Sequence, residues 1–120
     1  MTERRRDQRS MQRIDFEIIR QKIDRGDYEI SVHASKRLRQ RGISLVELEH
    51  VVRTGEIIER DEHAKPYPKC IFLGYTGSKG EALHVVCSVT PQATVVTVYF
   101  PDEDRWAQDR IRIIKSKRKR

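Results

Sequence analysis

The sequence predicts an α+β fold with helices first and a sheet second. Three observations carry that reading. Apolar residues recur at helical spacing as far as Gly55, they alternate or run together at strand spacing beyond it, and short turn signals separate the later runs. The expected architecture is N-terminal helices packed on one face of a four-stranded antiparallel sheet, in two layers.

A chain of 120 residues supports one modest core. The expected division is a disordered basic N-terminal tail over 1–10, a single domain over 11–109 and a basic C-terminal tail over 110–120. Met11, Ile14, Ile18 and Ile23 have the spacing of an amphipathic helix, and Gly26 is placed to end it. Residues 27–30 form a short extended piece. Ser31 caps the next helix and Gly42 closes it. Ser44 and Glu47 have the spacing of a capping box, which opens a third helix ending near Gly55.

Four strands are expected after Gly55. Residues 56–60 form the first. Pro66 and Pro68 keep 63–68 out of any ladder. Residues 70–75 and 83–89 form the second and third strands, joined by a turn at 77–80. Residues 94–100 form the last. Leu83, Val85, Cys87 and Val89 share one face of the third strand, with His84, Val86 and Ser88 opposite. In the last strand, Val96, Val98 and Phe100 are expected to face the helices, and Val95, Thr97 and Tyr99 the other side. The second face is then partly open. Trp106 is expected to start a small helix that docks back on the core.

Charge and cysteine content bound the function. The net charge is +7, and residues 110–120 hold seven Lys or Arg and no acid. Residues 1–109 therefore balance 18 cations against 18 acids. The basic tail attracts nucleic acid without sequence preference or serves only as a solvated end. The body alone does not announce a nucleic-acid-binding surface. Cys70 and Cys87 sit in apolar strands and are expected to be buried thiols in a reducing compartment. No apolar run is long enough to cross a bilayer and no secretory signal opens the chain, so a cytoplasmic location is expected.

The chemistry concentrates in residues 31–43. His33, Arg37 and Arg41 recur every four residues and form a stripe on one helix face. An imidazole supplies an acid or base, and guanidinium forks match phosphate oxygens. The competing expectation pairs both arginines with Glu47, Glu49 or other acids. His33, His50, His63, His84 and the cysteines lack metal-ligand spacing, so no metal site and no cofactor are expected.

The run Tyr28-Glu-Ile-Ser-Val-His-Ala-Ser-Lys-Arg-Leu-Arg-Gln-Arg-Gly-Ile43, with Gly55-Glu-Ile-Ile-Glu59, Leu83-His-Val-Val86 and Val96-Thr-Val-Tyr-Phe-Pro101, resembles a bacterial family of unknown function, the domain-of-unknown-function family numbered forty-two fifty-eight. The resemblance covers roughly residues 12–106. It implies a RelE-like, two-layer layout similar to RelE-type and BrnT-type toxins, which are metal-independent ribonucleases. It therefore implies the toxin half of a type II toxin–antitoxin pair. The implied partners are RNA or the ribosome, and a cognate antitoxin of zinc-ribbon or helix-turn-helix type. No catalytic residues carry over from the family.

Chemistry assigns the roles instead. Metal-free RNA cleavage needs a base, an acid and cations for the phosphorane. His33 and His84 are the candidate base and acid, Arg37 and Arg41 the phosphate clamp, and Tyr99 a hydrogen-bonding group. Lys36 and Arg39 on the same helix, and Lys117, Arg118, Lys119 and Arg120 in the tail, are the candidate nucleic-acid contacts. The alternative is a non-catalytic module that binds a protein or nucleic acid.

Overall fold

The computed structural model describes residues 14–77 and 79–114. Met11, the N-terminal tail and the tail residues Lys117, Arg118, Lys119 and Arg120 lie outside them. In chain order the elements are α1 (Ile18–Asp24), β1 (Glu29–Ile30), α2 (Val32–Arg41), α3 (Leu45–Thr54), β2 (Glu56–Asp61), β3 (Lys69–Tyr75), β4 (Ala82–Ser88), β5 (Thr94–Tyr99), β6 (Trp106–Ala107) and β7 (Ile111–Arg112). The fold is α+β, with three helices among the described residues.

The helices end where local chemistry ends them. Ser31 Oγ accepts the Ala34 N–H at 2.9 Å and caps α2, and Gly42 closes it at φ +67°. The capping box of α3 forms as expected: Ser44 Oγ accepts the Glu47 N–H, and Glu47 accepts the Ser44 N–H. The far end of α3 is capped from outside. Arg20, on α1, donates to the carbonyls of Val52 at 2.6 Å and Gly55 at 2.7 Å, and its guanidinium lies over the Phe72 ring. Gly55 is required there by contact: a Cβ would sit 2.3 Å from the Leu73 carbonyl oxygen.

The main sheet is five-stranded and mixed, in the order β1-β5-β4-β3-β2, with β1 parallel to β5 and the other pairs antiparallel. This corrects the expected four-stranded antiparallel sheet. Residues 29–30 are the added strand. They reach β5 because the Ser31 N–H donates to the Val95 carbonyl and the Glu29 N–H to the Ala93 carbonyl. A second correction concerns the last segment. Trp106 starts no helix; it opens the antiparallel hairpin β6–β7, turned at Gln108 and Asp109 with φ +55° and +65°. Arg110, Ile111 and Arg112 thus belong to the folded body and not to a tail.

Two cores result. The helices cover one face of the sheet over Phe72, Leu83, Val85, Cys87, Val95 and Val98. The hairpin covers the other, where Trp106 packs on Ile71 and Val86, with Ile58, Val96 and Tyr99 beside them. The register between β4 and β5 shifts between Val86 and Cys87, so Val95 opposes Cys87 while Thr97 opposes Val86. This β-bulge leaves Val96 without a partner and changes the phase of β5. Val95 therefore faces the helices and Val96 the hairpin, the reverse of strict alternation, while Val98 and Phe100 keep the expected side.

Candidate functional site

Where β1 ends, β5 continues with β4 on one side and, among the described residues, no strand on the other, and α2 packs against β5. Ser31 fixes the approach. Besides capping α2, its hydroxyl donates to the carbonyl of the bulged Val96 at 2.8 Å. The stripe on α2 borders the buried pair Ala34 and Leu38, so packing that pair inward directs His33, Arg37 and Arg41 along the strand.

The result is a cavity of about 470 Å³ with three walls. His33, Arg37 and Arg41 form one, the end of β5 from Thr97 to Tyr99 with the following Phe100 forms the floor, and Asp102, Arg105, Trp106 and Arg112 form the third. The sequence stripe is thus gathered into one open site. Neither Arg37 nor Arg41 pairs with an acid among the described residues; the Arg41 guanidinium lies 5.7 Å from the centre of the Phe100 ring. The competing acids are engaged elsewhere. Glu49 accepts the Tyr28 hydroxyl at 2.8 Å, and Glu47 completes the capping box. Arg105 also makes no ion pair among the described residues. Arg112 is different: it is held bidentate by Glu59 at 2.8 and 2.9 Å, and its guanidinium covers Trp106. Asp102 is the acid in the wall, and its Oδ1 is occupied by the Asp104 N–H. Three unpaired guanidiniums against one carboxylate make a local cationic site in a body of balanced charge.

His84 is placed otherwise. It is fully buried and does not line the cavity. Its Nε2 lies 2.6 Å from the Asp109 carbonyl oxygen, so Nε2 carries the proton and donates. Nδ1 is then bare and accepts from the Tyr99 hydroxyl at 3.3 Å. Tyr99 and Trp106 pack edge-on against the imidazole with centroids at 5.1 and 4.5 Å. Burial depresses the His84 pKa and raises that of Tyr99, keeping the imidazole neutral and the phenol protonated. His84 ties the hairpin to the sheet and is sealed from solvent, so it is not available as the leaving-group acid. Tyr99 lines the cavity, with its proton directed inward at His84.

Lys36 and Arg39 are exposed on α2 and do not line the cavity, and Arg39 donates to Ser35 at 3.1 Å. Arg105 and Arg112 are the wall residues sequence reasoning missed. Among the described residues no three His, Cys, Asp or Glu side chains gather as a cation site requires.

The family model described as domain of unknown function (DUF4258) matches residues 30–100, more than half of the chain, and the chain belongs to that family. The match spans α2, β5 and the cavity floor, and stops before the hairpin. No curated protein and no solved structure matches the chain.

Proposed function

We propose that this family member binds the phosphodiester backbone of RNA in the cavity beside α2 and cleaves it without a metal. One observation carries the reading: His33, Arg37, Arg41 and Arg105 line a single open cavity, and none of these guanidiniums is spent on an acid. His33 is the imidazole in that wall. In the proposed step it takes the proton of the ribose 2′-OH. The 2′ oxygen attacks phosphorus, the bond from phosphorus to the 5′ oxygen breaks, and the leaving oxygen takes a proton from water. The products are a 2′,3′-cyclic phosphate and a 5′-hydroxyl. The arginines hold the phosphate and stabilise the charge that develops on its oxygens.

Cleavage of cellular RNA needs restraint. The finer reading is the toxin half of a type II toxin–antitoxin pair, with a zinc-ribbon or helix-turn-helix antitoxin blocking the cavity. A second reading has one observation in its favour. The enclosure of His84 leaves the cavity without a second imidazole among the described residues, as suits a module that binds RNA and does not cut it.

Tightly controlled expression separates these readings. Wild-type protein is expected to arrest growth and deplete RNA, and co-expression of the neighbouring gene to relieve the arrest. The His33→Ala, Arg37→Ala double variant is expected to be harmless. Equal, harmless expression of both proteins contradicts the toxin reading, and RNA binding without cleavage then favours the module.

A further inference from the structure

We propose that the hairpin-side face of the sheet carries a track for single-stranded RNA, leading from the cavity to a base-stacking hollow at Tyr67. The proposal rests on the reading of the cavity as a phosphodiester site and extends it to the substrate's form.

Continuity is the first argument. The cavity shares Thr97, Tyr99 and Arg112 with a second hollow of about 250 Å³ on the same face. That hollow shares Lys69 and Val96 with a third, of about 260 Å³, at the opposite end of the strands. From Tyr99 back to Thr94 the track follows β5 for about 17 Å at ordinary strand rise. The β-bulge contributes, because it turns both Val96 and Thr97 into this line.

The chemistry of the far hollow is the second argument. Tyr67 is 45% exposed in the proline loop, above an apolar surface of Pro66, Pro91 and Val96. Lys65 and Lys69 flank it, both exposed and neither in an ion pair among the described residues. An open aromatic ring between two free cations suits an unstacked base with its phosphates. The middle hollow is floored by Ile71, Val86 and Val96 and rimmed by Glu59 and Asp61. Arg112 already engages both Glu59 oxygens, and the His63 N–H takes Oδ1 of Asp61, which leaves the Asp61 carboxylate as the acid that repels a phosphate there and can accept from the amino or imino group of a base edge. A duplex stacks its bases inward and offers none to these hollows. The occupant is therefore single-stranded.

The test uses fluorescence anisotropy with 2′-O-methyl oligonucleotides, which cannot be cleaved. A single-stranded hexanucleotide is expected to bind wild-type protein at least about tenfold more tightly than a dinucleotide or a duplex hexamer. The Lys65→Ala, Tyr67→Ala double variant should lose that advantage while keeping the wild-type melting temperature and dinucleotide affinity. Tyr67→Phe should retain it, since stacking uses the ring. Equal hexanucleotide affinity for wild type and double variant overturns the track. So does equal affinity for dinucleotide, hexanucleotide and duplex, or no binding at all. Cleavage of unmodified RNA is measured in parallel. Cleavage without the length advantage removes the track alone, and a length advantage without cleavage removes the ribonuclease reading alone.

Discussion

Truncating His84 should release the hairpin that forms one wall of the cavity. In His84→Ala the Asp109 carbonyl loses its donor at 2.6 Å, the Tyr99 hydroxyl loses its acceptor, and two edge-on ring contacts vanish. An orphaned buried polar group costs about 1–3 kcal/mol and a lost hydrogen bond about 1 kcal/mol. Each aromatic contact adds roughly 0.5–1.5 kcal/mol. Water reaching the vacated space recovers part of this, leaving a loss of about 3 kcal/mol. For a domain of this size that lowers Tm by about 12 °C. His84→Phe keeps a ring but neither hydrogen bond, and should lose about 2 kcal/mol. Urea denaturation measures both. Trp106 is the single tryptophan and packs on the imidazole, so its emission should shift to the red in His84→Ala. A loss under about 1 kcal/mol with unchanged emission would refute the claim that His84 anchors the hairpin.

Four further outcomes follow from the same contacts. Burial lowers the His84 pKa below the ordinary 6.5. The unfolded chain then binds this proton first, so stability is full above that value and falls as pH drops through it toward the folded pKa. Urea midpoints between about pH 7 and 5 should show this slope in wild type and a smaller one in His84→Phe. Gly55→Ala should cost about 1–3 kcal/mol or more through overpacking, since its Cβ meets the Leu73 carbonyl; an unchanged melting temperature would disprove the close approach. Arg20→Met should cost about 1–3 kcal/mol by stripping the carbonyls at the end of α3, as circular-dichroism melting would register. Burial pushes the Cys70 thiol up to about 12 and the Cys87 thiol well above its ordinary range. Both should resist a thiol reagent in the native protein and react together in denaturant; rapid labelling of either in the native state would contradict their burial.

How much of this was legible in the sequence depended on the length of each signal. The α2 stripe was legible because ten helical residues between a serine cap and a glycine stop leave little freedom of phase. The capping box of α3 was legible for the same reason. The bulge at Val96 was not, because a run of Val, Val, Thr and Val reads equally well in either phase. β1 is two residues long and pairs in parallel across most of the chain, so no local pattern announces it. The hairpin was missed because its strands are two residues each and its turn uses Gln108 and Asp109 without a glycine. A usable signal existed in β3, where Cys70, Ile71, Phe72 and Leu73 run together. A strand apolar on both sides needs a cover on each, and Trp106 was the residue available to provide the second. With the hairpin in place, Arg105 and Arg112 would have joined the site and His84 would have left it.

Product analysis tests most directly the proposed base-catalysed cleavage of RNA at the α2 cavity. End-labelled single-stranded RNA is incubated with purified protein in excess chelator, and the fragment ends are identified. Wild-type protein should yield 2′,3′-cyclic phosphate and 5′-hydroxyl ends; His33→Ala should yield about 100-fold less or none, and the Arg37→Ala, Arg41→Ala double variant should be similarly impaired. Intact RNA with folded wild-type protein, or fragments undiminished by His33→Ala, would contradict cleavage at this cavity.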